Sequence, residues 1–134
     1  EQLGVEVTAV EETGFDPVRI ESILRAWIEQ NVPYIFVLGG TGLSERERTV
    51  DVVEKLLDRE IPGIGEAMRR HGSDRTPVAM FSRSIGGIAG ASVILALPGS
   101  TRGARESMEA VLPGLFHAQR MMARRGPRGE FAHD

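Results

Sequence analysis

Two segments of this chain are apolar almost without interruption, Tyr34–Leu38 (YIFVL) and Ser92–Leu97 (SVILAL), and each runs directly into a glycine turn. A strand with one face in water alternates apolar and polar residues, whereas a strand covered on both faces does not. These segments therefore call for helices above and below a sheet, which restricts the chain to the α/β class. Material for those helices is present. Asp16-Pro17 is a helix start, with an N-capping carboxylate followed by a proline pre-set for the first helical position. Ile20, Ile23, Leu24, Trp27 and Ile28 then recur at helical spacing through Val18–Gln30, and Asn31-Val32-Pro33 ends the helix. Upstream, Gly4–Val10 alternates Val5, Val7 and Ala9 with polar neighbours. This predicts a strand, and with it a βαβ unit closed by Tyr34–Leu38.

Beyond the second strand the charged stretch Glu45–Arg48 leads into a helix with Thr49 as its cap and Val50, Val53, Leu56 and Leu57 on its buried face. Ile61–Gly65 reads as a turn, Glu66–Arg70 as a short helix, and Val78–Phe81 as a short apolar segment. Ile85–Gly90 is too rich in glycine for a helix and reads as a strand or hairpin with close backbone approach. Pro113 is expected to separate two helices, Ala104–Leu112 and Gly114–Met122. No repeat or linker divides the 134 residues, so residues 1–122 are expected to form one domain and residues 123–134 a mobile tail.

Composition removes several functions. Net charge is −3, from 16 basic and 19 acidic residues, which argues against a nucleic-acid partner. The absence of cysteine excludes disulfides, thiolate catalysis and cysteine-ligated metals, and fits a reducing, cytoplasmic setting. No run approaches the ~18 apolar residues of a membrane helix, so no membrane partner is expected. His71, His117 and His133 lack metal-ligand spacing, and Ser82, Ser84 and Ser100 lack a His–Asp partner pattern. The chain begins with Glu1 rather than Met, and is expected to be processed or part of a longer one.

In open α/β sheets, ligands bind beyond the carboxyl ends of the strands. Two such ends carry glycine turns here, Gly39–Ser44 and Pro98–Ser100. Gly39-Gly40-Thr41-Gly42 presents backbone N–H groups without Cβ obstruction, and Thr41 and Ser44 add hydroxyls, a combination suited to phosphate. A tight connection would use the same glycines, so both readings stay open on the residues alone. The spacing is neither that of a Walker loop nor of a dinucleotide fingerprint. Carboxylates nearby matter if the ligand is a nucleotide, because Mg²⁺ is held by one or two of them plus phosphate oxygens. The candidates are Asp16, Glu47 and Asp51, whose alternative roles are a helix cap and a solvated helix face. Arg46, Arg83 and Arg102 follow the predicted loops as phosphate-binding candidates.

Taken in order, Val37–Gly42, Arg46–Asp51, Pro62–Arg69, Ser82-Arg83, Leu97–Ser100 and Glu106–Pro113 resemble the molybdopterin-binding domain of the MoaB/Mog type. The match runs from about Val5 to Met122 and extends to the plant and gephyrin domains. It implies a three-layer α/β sandwich with a mostly parallel sheet, and transfer of AMP from Mg-ATP to the terminal phosphate of molybdopterin. It further implies a homotrimer and a molybdenum-insertion partner. By position, Gly39, Gly40, Thr41 and Gly42 would cradle phosphate, and Ser82, Pro98, Gly99 and Ser100 would line the pterin pocket. Asp16, with Glu12 as the alternative at that position, and Glu47 would hold Mg²⁺ with Asp51 in support. The family motif Arg-Asp-x-Thr-Pro-Asp reads Arg46-Glu47-Arg48-Thr49-Val50-Asp51, with Glu for the first Asp and Val for Pro. The family's first strand with its Ser-Asp turn has no counterpart in these residues. Those departures keep a second expectation alive, a catalytically silent molybdopterin-binding accessory or fused domain.

Overall fold

A computed structural model of the chain describes residues 6–123. Its elements are α1 (Pro17–Glu29), β1 (Tyr34–Leu38), α2 (Thr49–Leu56), β2 (Arg59–Glu60), α3 (Pro62–Ser73), a 3₁₀ turn (Pro77–Phe81), β3 (Ile85–Ala89), β4 (Ser92–Leu97) and α4 (Thr101–Ala123). Asp16 starts α1 as expected: its Oδ1 accepts from the N–H groups of Val18 (3.0 Å) and Arg19 (3.4 Å). The end of α1 explains Asn31. This residue takes a left-handed φ of 58°, its N–H donates to Ile28 O (3.0 Å), and the Val32 N–H donates to Trp27 O (3.1 Å). That pattern is a Schellman stop, in which asparagine serves where glycine is usual.

The strands lie in the order β1-β4-β3-β2, with β1 and β4 parallel and the other two pairs antiparallel. All six residues of β4 are buried. Ile94 and Ala96 point to one face, where they meet Ile20 and Leu24 of α1 and Val50 and Val53 of α2. Val93, Leu95 and Leu97 point to the other, against Met68 of α3 and Val111 and Leu115 of α4. The molecule is thus a three-layer α/β sandwich, and of the two uninterrupted apolar runs only β4 is fully covered. β1 lies at the sheet edge, buries Ile35 alone and leaves Leu38 exposed at its end, against the expectation that both would be covered on both faces. Among the described residues no helix is long and apolar enough to cross a membrane.

Four further expectations are corrected. Glu6–Val10 form no strand, and Val7 and Val10 stand exposed; Gly4 and Val5 lie outside the described residues. Alternation supplies two faces but no ladder partner, and the parallel neighbour of β1 is β4 rather than this segment. Ile61–Gly65 is not a separate turn, because Pro62 occupies the first position of a helix that runs to Ser73. Thr49 does not cap α2: Arg48 holds that position, and Thr49 is buried as the helix's first residue. Pro113 does not split α4, which runs unbroken on both sides of it. Val111 and Leu115 are buried one turn apart around the proline, and their packing on β4 offsets the missing N–H. Residues 124–134 of the expected tail lie outside the described residues.

Candidate functional site

Because β1 and β4 are parallel and in register from Tyr34↔Val93 to Leu38↔Leu97, both end at the same edge of the sheet. Their glycine turns therefore meet. The Gly39 N–H donates to Leu97 O at 2.9 Å, and a Cβ placed on Gly99 would lie 3.1 Å from the Gly39 Cα. Gly39 (φ 94°) and Gly40 (φ 69°) take left-handed conformations that other residues rarely adopt. At Gly40 the constraint is double, since a Cβ there would overlap the buried Thr49 side chain. Here Thr49 finds its role, as the floor beneath the loop.

Ser82–Ser84 supplies the third wall. The Arg83 N–H donates to Thr41 O at 2.8 Å, tying this segment to the glycine loop. Ser82 Oγ and Ser84 Oγ are 2.9 Å apart, and Arg69 donates to Ser84 O (2.8 Å) and Ser82 O (3.3 Å). Ser82, Ser84, Pro98 and Ser100 line one cleft together with Arg69, Arg75 and Glu106. Arg75 donates to Glu106 at 2.6 Å and Arg102 joins at 3.2 Å; the Arg75 hydrogen bond above all holds the Glu106 carboxyl below its ordinary pKa. Ser100 is turned toward α4, where its Oγ accepts the Gly103 N–H at 3.1 Å.

The three carboxylates singled out by sequence stand on this rim. β1 runs away from the end of α1, so Asp16 at the start of α1 comes to the end of the sheet where β1 finishes; its neighbour Phe15 lies under the Arg46 guanidinium, 5.5 Å away. Glu47 folds back onto the glycine loop and accepts the N–H groups of Gly42 (Oε1, 3.0 Å) and Ser44 (Oε2, 3.1 Å). Asp51 pairs with Arg83 at 2.8 Å, which lowers the Asp51 pKa and raises that of Arg83. Of the three arginines proposed for phosphate, Arg46 stacks on Phe15, Arg83 binds Asp51 and Arg102 binds Glu106. Among the described residues no three Asp, Glu or His side chains stand together as a metal cluster.

The structure thus brings Gly39–Gly42, Ser82 and Pro98–Ser100 to one end of the sheet, with Glu47 and Asp51 beside the loop and Asp16 on the same rim. Sequence reasoning missed Arg69 as a support of the serine wall. Its signal is the Gly65–Arg69 spacing: the arginine lies where a Cβ on Gly65 would be, 2.8 Å from its terminal nitrogen.

Residues 1–117 match a family described as "Probable molybdopterin binding domain". The chain is 35% identical over 122 residues to the molybdenum cofactor biosynthesis bifunctional protein of Chlorobaculum tepidum, covering 91% of this chain and 39% of that protein. It is 36% identical over 120 residues to the molybdenum cofactor biosynthesis protein B of Bacillus cereus, covering 87% and 71% respectively. Among solved structures it resembles the molybdopterin biosynthesis enzyme MoaB of Thermus thermophilus, with a TM-score of 0.74, 48% identity, and coverage of 78% of this chain and 67% of that one. This chain spans well under half of the bifunctional relative. With that match over most of its length, and with the MoaB-like sandwich carrying its glycine loops at one end, the chain belongs to the molybdopterin-binding domain family.

Proposed function

We propose that the chain acts in molybdenum cofactor biosynthesis, binding molybdopterin and adenylylating it with Mg-ATP. The observation that carries this reading is the convergence of three segments at one sheet end: Gly39 against Gly99, and Ser82 lining one cleft with Pro98 and Ser100. Backbone N–H groups of the loop suit phosphate oxygens, and the cleft between Ser82 and Pro98 suits a flat polar ring system. In the reaction a terminal phosphate oxygen of molybdopterin attacks the α-phosphorus of ATP. A phosphoanhydride bond forms, the bond to the β-phosphate breaks, and pyrophosphate leaves with the electron pair. No protein nucleophile is needed, so this chain contributes positioning and fixed donors. Glu47, once released from the loop N–H groups that now occupy both its oxygens, and Asp16 on the same rim would be the residues that hold Mg²⁺. Bound there, the ion would offset charge developing on the phosphate oxygens. A trimer and a molybdenum-insertion partner belong to the same proposal.

A second reading, a silent molybdopterin binder, is favoured by one observation: Asp16, Glu47 and Asp51 all accept bonds from within the protein. Pyrophosphate release with ATP, Mg²⁺ and molybdopterin separates the two. Under the enzymatic reading wild type releases pyrophosphate, Glu47→Gln abolishes release while molybdopterin binding is not lost, and Glu47→Asp is at least as active as wild type. Wild type that binds molybdopterin yet releases nothing leaves the silent binder standing.

A further inference from the structure

The Glu47 carboxylate sits where a ligand's phosphoryl oxygens would be expected to sit. Oε1 takes the Gly42 N–H at 3.0 Å and Oε2 takes the Ser44 N–H at 3.1 Å, so both oxygens of one anion are used on loop donors. The seat is built for this. The Glu47 N–H donates to Ser44 O at 3.0 Å, closing a turn that aims the side chain back at the loop. Position 42 must be glycine for the carboxylate to fit, because a Cβ there would lie 2.7 Å from Glu47 Cδ. An aspartate is one methylene shorter, about 1.5 Å, and from the same backbone would fall short of both donors.

We propose that Glu47 is an internal anion occupying the loop's phosphate site, and that a phosphoryl oxyanion enters by displacing it. The loop is then closed to free anions until Glu47 turns outward. Once turned, the side chain stands at the loop mouth, the place where the proposed reaction needs a carboxylate. The identity of the physiological oxyanion rests on the proposed function; the displacement itself does not. Two charge-assisted bonds to a carboxylate compete directly with the same two bonds to phosphate, and an unremoved carboxylate adds like-charge repulsion.

The test is a titration with inorganic phosphate, following the backbone amide signals of Gly42 and Ser44 by NMR in wild type, Glu47→Ala and Glu47→Gln. Removal of the side chain in Glu47→Ala is expected to tighten phosphate binding at least tenfold, with both amides shifting. Glu47→Gln loses the charge but keeps one acceptor, and is expected to tighten binding at least threefold. Unchanged or weaker binding in Glu47→Ala overturns the proposal, since a side chain that only shapes the loop would lower affinity when removed. If Glu47→Ala fails to fold, the nearly isosteric Glu47→Gln decides on the same terms. Failure of the adenylylation reading appears separately, as absent pyrophosphate release, and leaves this titration untouched.

Discussion

Arg83 binds two parts of the site by different means. Its backbone N–H fixes Thr41 at 2.8 Å, and its guanidinium holds Asp51 at 2.8 Å. Only the second contact is open to a side-chain substitution. Both partners are substantially exposed (36% and 45%), so solvent screens the pair and Arg83→Met should cost about 0.5 kcal/mol at neutral pH. Arg83 holds the Asp51 pKa below its ordinary 3.8, so this contribution is complete above the ordinary carboxylate range and is lost as pH falls through the folded-state value. Denaturant unfolding should therefore separate wild type from Arg83→Met at pH 7 and no longer in strong acid. The Asp51 carboxyl signal should also titrate nearer 3.8 in the variant; an identical titration in both proteins refutes the pairing. At this scale the glycine loop was legible because donor N–H groups follow from glycine itself. Arg69 was not, because the carbonyls it binds are 13 and 15 residues away in the chain and only folding brings them near. Nor was the inward turn of Glu47, since a carboxylate's spacing says nothing about whether it faces water or its own backbone.

Helices and strands were legible where one residue type decides the outcome. The apolar runs gave both strands, though β1 at the sheet edge buries only Ile35, and Asp16-Pro17 gave the start of α1. Boundaries failed where a local signal competed with packing. Gly63 and Gly65 read as a turn, yet α3 runs through them, and at Gly65 the lack of a side chain is what admits Ser84 and Arg69. A Cβ there would lie 2.8 Å from both the Ser84 carbonyl oxygen and the Arg69 terminal nitrogen. Gly65→Ala should destabilise the fold by about 1–3 kcal/mol, because the carbonyl belongs to backbone and cannot step aside. Gly114 in α4 is the opposite case. A Cβ there meets nothing within 4 Å, and the position is exposed. Gly114→Ala should stabilise by about 0.5–1 kcal/mol by lowering the entropy of the unfolded chain. Thermal unfolding of the two variants should move in opposite directions; stabilisation of both would mean that helix propensity, not local space, governs these positions. Pro113 belongs to the same argument, since the rule that proline breaks helices lost to the buried residues on either side of it.

Across the whole molecule, one strand joins two cores. β4 sends Ile94 and Ala96 into the layer formed with α1 and α2, and Val93, Leu95 and Leu97 into the layer formed with α3 and α4. Among the described residues β4 is the one strand with fully buried residues in both layers; Ile35, Ile85 and Ala89 add to the first, and Tyr34 and Phe36 pack on the second. The two helical layers are therefore expected to unfold together rather than in turn. The chain carries a single tryptophan, Trp27, packed on the α1 side of the sheet. Leu95 is fully buried on the opposite side. Leu95→Ala should cost about 2–5 kcal/mol, a large share of the roughly 5–15 kcal/mol that holds a domain together. Trp27 has no part in the cavity so created, yet its fluorescence transition in denaturant should shift by as much as the helical circular dichroism signal does. Ile94→Ala, on the tryptophan's own side, should give the same coincidence from the other direction. A Trp27 transition left in place by Leu95→Ala would show that the layers melt independently. It would also mean that the glycine turns at the ends of β1 and β4 owe their shared position to one core rather than to both.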